Sequence, residues 1–165
     1  MMSLVEMAKN TFLPKGGNFR KVPFGLAAGC CLKIDFQHQL RVYLGTYEFE
    51  LNRCFRAMVH ANGKCFDVGG NNGYHALVCA KLSGVPVLTF ECDGDVVTAM
   101  KEVFERNPYD IEVIEGFVGN NRSSRDISLD EVAETHSYPD FIKLDIEGGE
   151  SEALTGASGT SARMW

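Results

Sequence analysis

The chain has 165 residues, 45% of them hydrophobic and 23% charged, and a net charge of −6 at pH 7. That composition suits one folded domain with a core of its own. The acidic balance, with Lys and Arg scattered singly or in pairs, argues against nucleic acid as a partner. No run approaches the roughly 18 apolar residues that cross a bilayer. Residues 1–12 lack the apolar core of a signal peptide, so the expected compartment is the cytoplasm, with no membrane partner. The six cysteines include no C-x-x-C pair and do not group with the four histidines. They read mostly as small buried hydrophobes, and no metal site is expected.

In chain order, residues 1–45 read as an N-terminal extension with a turn at Pro14-Lys15-Gly16-Gly17-Asn18. Runs at 31–36 and 39–44 alternate in part and could pair as a hairpin. A second region, 46–165, begins with helical spacing of Tyr47, Leu51, Phe55, Met58 and Val59, closed by Asn62-Gly63. The pattern then becomes regular. Strands are predicted at 64–68, 85–91, 111–118 and 141–146. Helices are predicted at 74–82, 95–106, 129–134 and 150–157, with Ser128 and Glu131 placed as a capping box for the third. Strands alternating with helices give an α/β fold, a Rossmann-like parallel sheet with helices on both faces. About four core strands are expected, which leaves the sheet incomplete at its C-terminal end. The tail 158–165 has no strand character.

Three segments carry chemistry. The first is Asp67-x-Gly69-x-Asn71-x-Gly73, where an apolar strand ends in an acid and turns through glycines into a helix. Bare backbone there lets a ligand come close. The spacing differs from the dinucleotide fingerprint G-x-G-x-x-G, and an acid at the strand end repels a pyrophosphate, which disfavours a nicotinamide-dependent oxidoreductase. The second is Phe90-Glu91-Cys92-Asp93, whose Glu91 lies 24 residues after Asp67, a place suited to accept from both hydroxyls of a ribose. The third, Asp140 to Glu150, brings Asp145, Glu147 and Glu150 to the same sheet edge around two glycines. Carboxylates there could serve as general base, bind substrate or hold a divalent metal. A ligand with a ribose, an adenine and a cationic amino-acid end fits the first two segments: S-adenosylmethionine.

These segments resemble the FkbM-type family of S-adenosylmethionine-dependent methyltransferases. The resemblance runs over about 45–157, through Gly45-Thr46-Tyr47-Glu48, Asp67 to Gly73, Phe90 to Gly94, and Ile142 to Glu150. It implies a class I methyltransferase sheet, S-adenosylmethionine as cofactor, and O-methylation of a small-molecule or sugar hydroxyl. Carried over, Asp67, Gly69, Asn71 and Gly73 shape the methionine side of the pocket. Glu91 holds the ribose, while Asp93 and the loop with Gly116 and Phe117 lie near the adenine. Asp145 or Glu147 accepts the hydroxyl proton. Gly70 stands where the family carries a small alanine, a mild change, and Cys92 and Gly94 replace prolines. Members of this class carry seven strands, so the chain reads as C-terminally truncated, with its fourth strand an open edge and a homo-oligomer as one way to complete it. The alternative reading is a truncated, non-catalytic domain with at most cofactor binding.

Overall fold

A computed structural model describes residues 16–120, 126–146 and 148–163. The chain divides into two compact units, Met1–Arg53 and Cys54–Trp165.

In the first unit β1 (Asn18–Lys21) pairs antiparallel with β2 (Cys31–Ile34), followed by α1 (Phe36–Tyr43) and a 3₁₀ turn at Phe49–Leu51. The antiparallel pair therefore does not join 31–36 to 39–44; residues 39–43 lie in α1. Asp35 decides this. Its Oδ1 accepts from the Gln37 amide at 2.9 Å while its own amide donates to Gln39 Oε1 at 3.0 Å, a reciprocal cap that starts a helix where short alternation suggested a strand. Val22, Leu32, Ile34 and Val42 are buried in this unit.

The second unit begins within the short helix α2 (Asn52–Met58). It continues through β3 (Cys65–Val68), α3 (Tyr74–Ser83), β4 (Val87–Glu91), α4 (Gly94–Phe104) and β5 (Ile111–Glu115). Then come β6 (Phe117–Val118), β7 (Asp126–Ile127), α5 (Leu129–His136), β8 (Phe141–Leu144), α6 (Glu150–Thr155) and α7 (Ser158–Arg163). Four strands form a parallel sheet in the order β5-β4-β3-β8. β3 is buried at every residue, as a central parallel strand must be.

Period-2 alternation sorts the sheet into two faces. Cys65 and Asp67 share one face with their register partners Val87, Thr89, Phe141 and Lys143. Helices α2, α3 and α4 cover it: Phe55 packs on Phe141 and stacks on His75, and the Cys65 and Cys79 side chains are hydrogen-bonded. Phe66, Val68, Leu88 and Phe90 face the other way, into a core with Leu129 and Ala133 of α5 and Ala153 of α6. The sheet is thus α/β and Rossmann-like, with helices on both faces. α3 is buried almost all round, which is why its sequence shows little amphipathic pattern.

Local differences from the sequence reading have visible causes. The strand expected over 111–118 breaks at Gly116, whose amide donates to the Glu91 carbonyl at 2.9 Å, and Phe117–Val118 then pairs with Asp126–Ile127. Ser128 precedes α5 without capping it, because its hydroxyl donates to the Gly156 carbonyl at 2.9 Å. Ser158–Arg163 is helical, its first amides held by Asp130, which accepts from Gly159 at 3.0 Å and Thr160 at 2.7 Å. Among the cysteines, Cys30, Cys65 and Cys79 are buried, but Cys54 and Cys92 are exposed.

Candidate functional site

From β3 the chain winds one way through β4 and β5, then returns to lay β8 on the opposite side of β3. The C-terminal ends of β3 and β8 mark this reversal, and the crevice outside such an edge is where open α/β sheets take ligands. The glycine turn, the Glu91 segment and Asp145 converge on this edge.

Residues 69–73 form a tight turn with Gly69 at φ +84°, Asn71 at +47° and Gly73 at +78°. A Cβ on Gly69 would collide with the Asp145 carbonyl oxygen, so only glycine fits between the ends of β3 and β8. The Gly69 and Gly70 amides both donate to the Phe90 carbonyl, at 3.0 and 2.9 Å. Gly70 is less interchangeable with alanine than its sequence suggests. An added Cβ would meet Thr89 Oγ1 and stand 2.9 Å from Met100 Sδ. Asn72 Oδ1 accepts from the Tyr74 amide at 3.1 Å, occupying a donor in the first turn of α3 that a phosphate would use.

Glu91 is half-buried at the end of β4. Its Oε1 accepts from the amides of Cys92 at 2.8 Å and Asp93 at 3.1 Å, and its Oε2 accepts from Asn71 at 3.0 Å. One carboxylate therefore clamps the glycine turn to the next loop. The Cys92 thiol is also hydrogen-bonded to this carboxylate, and desolvation together with that carboxylate pushes the thiol up. Asp93 caps α4, its Oδ1 accepting from Asp95 at 2.9 Å and Val96 at 3.2 Å. Phe117 is 46% exposed, with its ring beside Gly149.

The Asp67 side chain is fully buried on the face beneath α3. The reason is parity: Asp67 lies on the Cys65 face, and the open edge starts only at Gly69. Its Oδ2 accepts from Thr89 Oγ1 at 3.3 Å, and Lys143 Nζ lies 3.4 Å from its Oδ1. Burial pushes its carboxyl above the usual carboxylate range, with the Lys143 ammonium and His75 pulling the other way. Lys143, absent from the sequence reading, also donates to the Gly69 carbonyl at 2.9 Å and stands 3.6 Å from Asp145 Oδ2. A signal existed: a lysine inside the apolar run Phe141 to Ile146, two residues before an acid, needs a buried partner.

Asp145 is anchored by its amide, which donates to the Val68 carbonyl at 3.0 Å, while its side chain is 64% exposed. Glu147 lies outside the described residues. Glu150 turns back on its own loop, Oε2 accepting from the Gly148 amide at 2.9 Å. Among the described residues no three His, Cys, Asp or Glu gather as a metal site. An aliphatic cleft of about 190 Å³ on the α5–α7 side of β8 has Ser161 as its one polar lining residue and offers no acid or base.

The third motif is where the sequence decides the family resemblance. Residues 97–165 match the methyltransferase FkbM domain. The expected resemblance holds over that segment. The match includes Asp145 to Glu150 and begins after the glycine turn and Glu91. Among solved structures the chain is similar to the crystal structure of a Haemophilus influenzae protein named "putative methylase HI0767". The two are 15% identical, the alignment covers 87% of this chain and 74% of that one, and the TM-score is 0.47. Among curated proteins nothing matches the chain. No described helix is long and apolar enough to cross a membrane.

Proposed function

We propose that the chain is a methyltransferase that uses S-adenosylmethionine to methylate a hydroxyl of a small molecule or sugar, in the cytoplasm. The observation that carries the reading is the Glu91 clamp: a carboxylate fixed by three backbone amides beside a glycine turn, at the sheet's reversal. A neutral, hydroxyl-rich ribose suits it, because a carboxylate accepts from O–H donors and repels a phosphate. The bare Gly69–Gly70 backbone admits a close ligand. Asn71 and Gly73 shape that wall, and Asp93 sets the direction of α4 beside it. Exposed Phe117 offers an apolar surface on the loop after β5.

S-adenosylmethionine, when bound, supplies a methyl carbon made electrophilic by its sulfonium. The protein's part is mostly positioning, since in-line displacement depends on alignment of acceptor and donor. Asp145, with its exposed carboxylate at the crevice, is placed to accept the acceptor's hydroxyl proton; Glu147 is the other candidate. A base of this kind contributes about 10²–10⁴-fold.

Calorimetric titration with S-adenosylmethionine and S-adenosylhomocysteine tests the cofactor. Saturable heat from both supports it, and absence of heat together with an unchanged melting temperature sinks it. Binding without transfer to any hydroxyl compound would instead favour the cofactor-binding, non-catalytic alternative. Where transfer occurs, Asp145→Asn separates the two candidate bases: unchanged turnover assigns the proton to Glu147.

A further inference from the structure

We propose that Lys143 is the positioning residue that holds the glycine turn in its ligand-ready form and ties it to Asp145. Its meaning for methyl transfer rests on the cofactor reading above, while the structural role can be tested without any ligand.

Three oxygens surround the Lys143 ammonium: the Gly69 carbonyl at 2.9 Å, Asp67 Oδ1 at 3.4 Å and Asp145 Oδ2 at 3.6 Å. The Gly69 contact is the hydrogen bond of the three; the two carboxylates stand at longer ion-pair distances. The shortest contact goes to the turn and not to the buried acid. Gly69 has no side chain by which to be held, and its φ of +84° lies outside the ordinary wells. Its place therefore depends on its backbone bonds. The amide is gripped by Phe90 of β4 at 3.0 Å, and the carbonyl is gripped by Lys143 of β8. One side chain from the acceptor-side strand thus fixes the cofactor-side turn. The same cation stands 3.6 Å from the Asp145 carboxylate.

A simpler role for Lys143 is counter-ion to Asp67, and the test must separate the two. Lys143→Met alone strands a buried carboxylate, so the decisive comparison is Asp67→Asn against the double variant D67N/K143M, in which no buried charge is left unpaired. Amide hydrogen exchange is measured at Gly69, Gly70 and Asn71, whose N–H groups are bonded in the turn. If Lys143 positions the turn, these three exchange about tenfold faster or more in the double variant, since a charged hydrogen bond has been removed. Amides inside β4 keep their rates. Equal exchange at the turn in the two variants overturns the proposal and leaves Lys143 as a counter-ion only. In parallel, S-adenosylhomocysteine is titrated into wild type, D67N and the double variant. A dissociation constant about tenfold higher in the double variant than in D67N supports the link to the cofactor. Wild type that takes up no S-adenosylhomocysteine overturns the cofactor reading, and the exchange result still decides the role of Lys143.

Discussion

The two flanks of the glycine turn are built differently. On the β4 side Glu91 carries three backbone amides and Asp93 carries two, so both carboxylates are locked to the main chain. On the β8 side the Asp145 carboxylate is mostly exposed, with Lys143 at 3.6 Å, and Glu150 bonds back to its own loop. A rigid flank suits a ligand whose shape never changes, because preorganisation lowers the cost of binding. An open flank suits a partner that varies. The contrast accords with a fixed cofactor beside a less fixed acceptor.

The contrast can be broken or sharpened by substitution. The largest effect is expected at the junction of the flanks. Lys143→Met leaves the Asp67 carboxylate buried without its cation and should cost about 3–5 kcal/mol of stability, read by urea unfolding. On the rigid flank, Glu91→Ala should weaken S-adenosylhomocysteine binding by about 1–3 kcal/mol in calorimetry, the usual contribution of charged hydrogen bonds. Unchanged affinity would remove Glu91 from the site. Asp93→Ala takes away the cap of α4 and should lower stability by about 1 kcal/mol. On the open flank, Asp145→Ala should change stability by less than about 0.5 kcal/mol, as exposed substitutions do. A loss as large as that of Lys143→Met would erase the distinction between the flanks.

A pH profile gives the smallest and most specific signal. Burial raises the folded pKa of Asp67 above its unfolded value. Its contribution to stability is therefore fullest below the unfolded pKa of about 3.9 and is lost as pH rises through the folded value. Asp67→Asn lacks that titration. Its stability relative to wild type should climb from acid toward neutral pH in parallel urea melts; a flat difference would mean that Lys143 fully offsets the burial.

Much of the fold was legible because its signals are local. The apolar run 65–68, the Asn71-to-Gly73 turn and the helix at 74–83 follow from composition and glycine placement within a few residues. Glu91 was legible as a strand-ending acid, but its clamp on Asn71 was not, since that bond joins loops 20 residues apart. The strand expected at 39–44 failed because one capping aspartate outweighed a short alternation. Gly70 seemed a neutral change until Thr89 and Met100 were found against it.

By itself the sequence determined the alternation of strands and helices, the glycine turn and the acids at one sheet edge, all properties of neighbouring residues. The tertiary structure alone decided which carboxylates reach the crevice. Strand parity and the cover of α3 turn Asp67 inward, and the parallel register sets Lys143 directly across from it. Neither is encoded within a local window: burial depends on what packs above, and pairing on a partner 76 residues away in the chain.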